Sequence, residues 1–151
     1  MKSSALTIIS LGAAFLVPIV LQAEGSFSQF TSAVDAQGVR HRGSDYIGRD
    51  PWMNDVVKTV TPVYPYRYRL QHIGGSGLFR ATLNLNTGSV TDVRVLKSTG
   101  ASLLDSSAVN ALRQWRWKPR RWKEVDIALT FAMSHNKTGM YIESSPVPAS
   151  R

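Results

Sequence analysis

Phe79-Arg80-Ala81-Thr82-Leu83-Asn84-Leu85-Asn86-Thr87-Gly88-Ser89-Val90-Thr91-Asp92-Val93-Arg94-Val95-Leu96-Lys97 carries the clearest pattern in the chain. Phe79, Ala81, Leu83 and Leu85 alternate with Arg80, Thr82 and Asn84, the period of two expected of a half-buried strand. Asn86-Thr87-Gly88 supplies a turn in which Gly88 can take positive φ. Val90 to Ser98 reads as the returning strand, with Val93 and Val95 on one face and Asp92, Arg94 and Leu96 on the other. The two runs make an antiparallel hairpin.

Downstream, Ser102 is placed to cap a helix and Asp105, three positions on, to complete a capping box. Leu104, Ala108, Ala111, Leu112 and Trp115 recur at spacings of three and four, so the helix has one apolar face, and Pro119 ends it. Val125, Ile127, Leu129, Phe131 and Met133 alternate with Asp126, Ala128, Thr130 and Ala132, which gives a last strand over Val125–Met133. The order hairpin, helix, strand predicts a small two-layer α+β domain over residues 62–133. In it a three-stranded antiparallel sheet packs on one main helix, β-β-α-β. Such a sheet ends in edge strands, and an uncovered edge is a liability or a docking site.

Upstream the texture differs. Met1-Lys2 precedes an apolar stretch from Ala5 to Leu21, the layout of a signal peptide with cleavage after Ala23. An N-terminal anchor is the competing reading, because 17 residues reach the short limit of a bilayer helix, about 17–25 residues. Residues 24–61 are polar, without period, and read as a linker with a short helix near Trp52–Val60. The tail, residues 134–151, reads as flexible. The chain is 151 residues long, 43% hydrophobic and 19% charged, with a formal charge of +8. That is too apolar for disorder throughout. The absence of cysteine excludes a disulfide scaffold, a thiolate metal site and a Cys nucleophile. With an export signal, the positive charge does not point to nucleic acid.

Pro62-Val63-Tyr64-Pro65 opens the domain. Val93-x-Val95-x-Lys97-Ser98-x-Gly100 closes the hairpin, and Leu104-Asp105 starts the helix. Ala108 and Ala111 precede Trp115-Arg116-Trp117-Lys118-Pro119. In these residues the chain resembles the C-terminal domain of TonB-type energy transducers. The resemblance implies a periplasmic binding module without cofactor and not an enzyme. Its last strand would pair with a short extended segment of an outer-membrane transporter, in energy-coupled transmembrane transport. Carried onto this sequence, it implies partner contacts along Leu129, Thr130, Phe131, Ala132, Met133 and Ser134. Arg67 would lie close to the partner segment, and Arg69 stands where the best-known transducers carry Gln. An inner-membrane motor complex would act through an anchor, and strand edges would admit a homodimer. The chain departs from the transducers in having no His within residues 1–23 and no Pro-rich spacer.

A second chemistry lies in residues 113–123, with six cations, three tryptophans and no acid. Arg113, Arg116, Lys118, Arg120, Arg121, Trp122 and Lys123 form a cationic-aromatic cluster suited to anionic lipid or polymer in the envelope. The plainer reading makes Trp115 and Trp117 core and the cations a solvated rim. His41, His72 and His135 are isolated in sequence, so no metal site is expected. Asp92, Asp105, Glu124 and Asp126 are the acids of the domain, and no pair among them suggests acid–base catalysis.

Overall fold

The computed structural model describes residues 31–46, 50–132 and 142–144. The described chain begins with a hairpin of β1 (Ser32–Asp35) and β2 (Arg40–Arg42), whose turn is closed by Asp35. Its carboxylate accepts from the amides of Gln37 and Val39 at 3.0 and 2.8 Å. Short 3-10 turns follow at Gly43–Asp45 and Met53–Asp55, then β3 (Val56–Lys58) and the single-turn helix α1 (Tyr66–Leu70). The long hairpin is β4 (Gly75–Leu83) and β5 (Val90–Lys97), and the main helix is α2 (Ser102–Leu112). The chain continues through β6 (Arg116–Trp117), β7 (Trp122–Phe131) and β8 (Ile142–Ser144).

Five strands run in the order β2-β1-β7-β4-β5, and β8 adds to β7 as a sixth; β3 and β6 form a separate ribbon. All pairings are antiparallel. The alternation in β7 buries Val125, Ile127, Leu129 and Phe131, each no more than 1% exposed, against Phe79 and Ala81 of β4 and the apolar face of α2. Burial of each such large side chain is worth roughly 1.5–3 kcal/mol. Leu104, Ala108, Ala111, Leu112 and Trp115 are all buried, as the helical spacing requires.

The fold is the expected small α+β domain, with four corrections. The sheet is larger than three strands, because the segment read as a polar linker supplies β1 and β2 to it, and also β3 to the separate ribbon. Met53–Asp55 is a 3-10 turn and Val56–Lys58 a strand, where a short helix was expected. Ser102 does not cap α2: Ala101 is the N-cap and makes no side-chain bond. Asp105 instead reaches back to the amide and hydroxyl of Thr99, both at 2.8 Å, so the capping box expected there is replaced by a bond to the residue two before the N-cap. Finally, Ile142–Ser144, within the segment read as a flexible tail, is a strand.

The N-terminal segment is held by its own side chains. Trp52 is 1% exposed and meets Trp115 and Trp117 edge-on at 6.4 and 5.8 Å between centroids. Its indole N–H donates to the carbonyl of Asp126 at 3.0 Å. Asp126, on the other face of β7, takes a bidentate pair from Arg80 at 2.7 and 3.0 Å. It also accepts from Ser32 of β1 at 2.7 Å, which fastens β1 to β7. Fork-on-carboxylate geometry of this kind is stronger and more directional than a neutral bond.

Candidate functional site: the outward edge of β7

A strand has two hydrogen-bonding edges. β4 takes one edge of β7 along its length, from Gly75 opposite Phe131 to Thr82 opposite Glu124. The other edge is shared. β1 pairs there with Trp122, Glu124 and Val125, and β8 with Leu129, Thr130 and Phe131. The expectation that the last strand is an open edge is therefore corrected: β7 lies inside the sheet, and β8 covers the stretch assigned to a partner.

The direction of the backbone groups can be read from two contacts. A Cβ on Gly74 would collide with the carbonyl of Phe131, so that carbonyl faces β4. Backbone groups alternate between edges along an antiparallel strand. Asp126 and Thr130 consequently face outward, and the Asp126 carbonyl meets the Trp52 indole. Thr130 presents its amide and carbonyl where Glu143 pairs with it. Its hydroxyl lies on the polar face of the sheet, 2.9 Å from that of Ser76. Leu129 and Phe131 point into the core, so at these two positions only main chain is left for a partner. Ala132 is exposed, and Met133 and Ser134 lie outside the described residues.

Arg67 and Arg69 belong to α1, a helix the sequence reading missed because five residues are too few to show a period. Its flanks both meet the end of β7: Tyr64 packs edge-on against Phe131 at 5.6 Å, and Gly74 abuts the Phe131 carbonyl. Arg67 is exposed, with its guanidinium 5.8 Å from the Tyr68 ring centroid. Arg69 is half-buried, 5.4 Å from the centroid of Tyr66. Both sit at the end of the sheet where β7 finishes.

The tryptophans of the cationic-aromatic cluster are absorbed into the fold, while Arg113, Arg116, Lys118, Arg120 and Arg121 stay on the surface. Trp115 and Trp117 are core. Trp122 is 7% exposed, and its indole N–H donates to Asp55 at 3.0 Å. The same carboxylate accepts from Arg121 at 3.1 Å and lies 3.4 Å from the Lys118 ammonium. Burial pushes the Asp55 carboxyl up, but the hydrogen bonds from Arg121 and Trp122 outweigh it and hold the group below the ordinary carboxylate range. Arg116 bonds the carbonyl of Trp115 at 2.8 Å, and the Arg120 amide bonds the carbonyl of Leu85 at 2.6 Å. Arg113 is exposed just past α2, and Lys123 is half-buried in β7. His41 is not isolated: its ring nitrogens lie 2.8 Å from Asp35 and 3.1 Å from the Tyr46 hydroxyl. Among the described residues, no group of three or more His, Asp or Glu could hold a metal ion. No helix among them is long and apolar enough to cross a membrane.

The described residues thus form a two-layer domain with one main α-helix, α2, behind an antiparallel sheet, and a short extended segment of the same chain, β8, on the outward edge of β7. Residues 60–134 match the family described as Gram-negative bacterial TonB protein C-terminal, and the chain belongs to that family through this region. Among solved structures it is similar to the solution NMR structure of the Pseudomonas aeruginosa TonB C-terminal domain. The identity is 23%, the match covers 56% of this chain and 88% of that one, and the TM-score is 0.43. No curated protein matches the chain.

Proposed function

We propose that this chain is a non-catalytic periplasmic module that takes a short extended segment of an outer-membrane transporter as an added strand on the outward edge of β7. One observation carries the reading. An extended segment already lies antiparallel along Leu129, Thr130 and Phe131, so this edge has the geometry to accept one. Main-chain hydrogen bonds would supply affinity and side chains at alternate positions the choice of partner. Arg67 and Arg69, at the same end of the sheet, are the side chains in place to add that choice. Export would follow from the basic start and apolar middle of residues 1–23. An inner-membrane motor would join only where that segment is kept as an anchor.

The pairing of Asp55 with Arg121, Lys118 and Trp122 favours this reading over one in which residues 113–123 grip anionic lipid or polymer. The test is Thr130→Pro, which removes an outward-facing donor and leaves the β4 ladder its own groups. Calorimetry with extended periplasmic segments of outer-membrane transporters should show affinity falling at least about tenfold, equivalent to about 1.4 kcal/mol. Thr130→Val, which keeps the amide, should bind within about threefold of the native chain. Unchanged affinity in a folded Thr130→Pro protein would overturn the reading.

A further inference from the structure

We infer that the outer edge of β5 pairs with β5 of a second copy of this chain, about a two-fold axis through Val93. The inference concerns a different edge of the sheet and does not depend on the reading above. Among the described residues β5 pairs only with β4 and is a terminal strand of the sheet. The direction of its backbone groups follows from β7. The Phe131 carbonyl faces β4, and so, four residues back, do the groups of Ile127, which pairs with Phe79. Arg80 and Thr82 of β4 therefore turn toward β5, and Arg94 and Asp92, opposite them, turn back toward β4. The amides and carbonyls of Val93 and Val95 are left facing outward. Val95 and Leu96 are 43% and 45% exposed, so apolar side chains accompany this open edge.

Charge selects a second copy as the occupant and fixes its register. With the axis at Val93 the two strands run antiparallel, and Val93 exchanges both backbone bonds with its counterpart. Asp92 of each copy then stands directly opposite Arg94 of the other. Moving the axis one residue either way sets Asp92 against Asp92 or Arg94 against Arg94, and like charges directly opposite are destabilising. Within one chain Arg94 and Asp92 lie 3.2 Å apart with side chains 77% and 48% exposed. Exchanging so exposed a pair for one across the axis costs little. The other terminal strand, β2, offers no such match, because Arg40 and Arg42 are both exposed and it has no acid. Register shifts bound the regular run of β5 at both ends, so the seam is short and the dimer reversible. Because β4 lies between β5 and β7, each copy keeps the outward edge of β7 clear of this seam.

The chain has no cysteine, so introduced ones report the register alone. Full-length Asp92→Cys and Arg94→Cys chains are oxidised separately and as a mixture. In the mixed dimer the two cysteines face each other in a non-hydrogen-bonded pair, about 4.5 Å between Cα atoms and within disulfide reach. The remaining Arg94 and Asp92 still form one ion pair across the axis. The mixture should give at least about tenfold more linked dimer than either chain alone. Adding Val95→Pro to both chains should abolish it, since that proline deletes an outward amide and no bond to β4. Circular dichroism checks that the proline variants fold. In sedimentation velocity, Asp92→Arg and Arg94→Asp chains should each self-associate at least about tenfold more weakly than the native chain, and their mixture should restore the dimer. Equal linking in the mixture and the single chains would overturn the register, and linking that survives a folded Val95→Pro would overturn the edge. A monomeric native chain, or one that grows past a dimer by joining β5 to β2, would overturn the pairing itself.

Discussion

Asp55 joins the N-terminal segment to β7, whereas Asp50 is bonded by Thr31 within that segment and its carboxyl is shifted in the opposite direction. Asp55 is held low, so the stability it contributes is complete above the ordinary carboxylate value of 3.8 and is lost as pH falls through its folded value. Asp50 is raised, chiefly by burial, against a hydrogen bond from Thr31 and with the charge of Asp126 adding to the rise. Its contribution is complete below the same ordinary value and is lost as pH rises through its folded value. Asp55→Asn should therefore destabilise by about 1–3 kcal/mol at pH 7 and converge on the native chain in acid. Asp50→Asn should gain on the native chain as pH rises from 3 to 7. Urea melts at several pH values decide it, and two variants drifting in the same direction would contradict the assignment. Neither role was legible in the sequence. Both acids sit in an aperiodic polar stretch, and their partners are 19 residues away for Asp50 and 67, at Trp122, for Asp55. By contrast, Trp115 could be read as core from its place on the apolar helical spacing, and Trp117 through the family resemblance.

Among the elements, length separates what could be read from what could not. β4, β5, α2 and β7 have eight to eleven residues, enough for a period of two or 3.6 to show above composition. β1, β2, β3 and β8 have three or four, and α1 five. Their existence depends on pairing with distant residues. For β8 the local sequence offered little, only Asn136 and Gly139 as turn-forming types ahead of Ile142. The hairpin turn was legible because its chemistry is local. Gly88 has φ +70°, and a Cβ there would collide with the carbonyl of Trp117. The Gly88 carbonyl in turn accepts the Trp117 amide at 2.9 Å, which ties the β4–β5 turn to β6. Gly88→Ala should cost at least about 1 kcal/mol in a urea melt, through strain at positive φ and separation of the turn from β6. A change below about 0.3 kcal/mol would mean that the turn is not held there.

Across the whole molecule, charge and architecture give one account. Residues 62–133 hold eleven cations and four acids, while residues 24–61 hold four cations and five acids. The second set neutralises part of the first: Asp55 meets Lys118 and Arg121, and its segment supplies Trp52 to the core. A version of the chain beginning at Pro62 keeps nearly all of the family match yet loses these. It should lose at least about 3 kcal/mol, the usual cost of removing one buried tryptophan, or lose cooperative unfolding altogether. An unchanged urea midpoint would show that the N-terminal segment is not part of the fold. The same segment narrows the candidate site by closing β7 from Trp122 to Val125, leaving the far half of the strand, where β8 lies. The most direct measurement is a backbone amide NMR titration of the full chain with an extended periplasmic segment of an outer-membrane transporter. The account predicts that the largest shifts fall on Ala128–Ala132 and on Ile142–Ser144, which lies along the same stretch. Shifts confined to residues 113–123, with β7 and β8 unmoved, would contradict it.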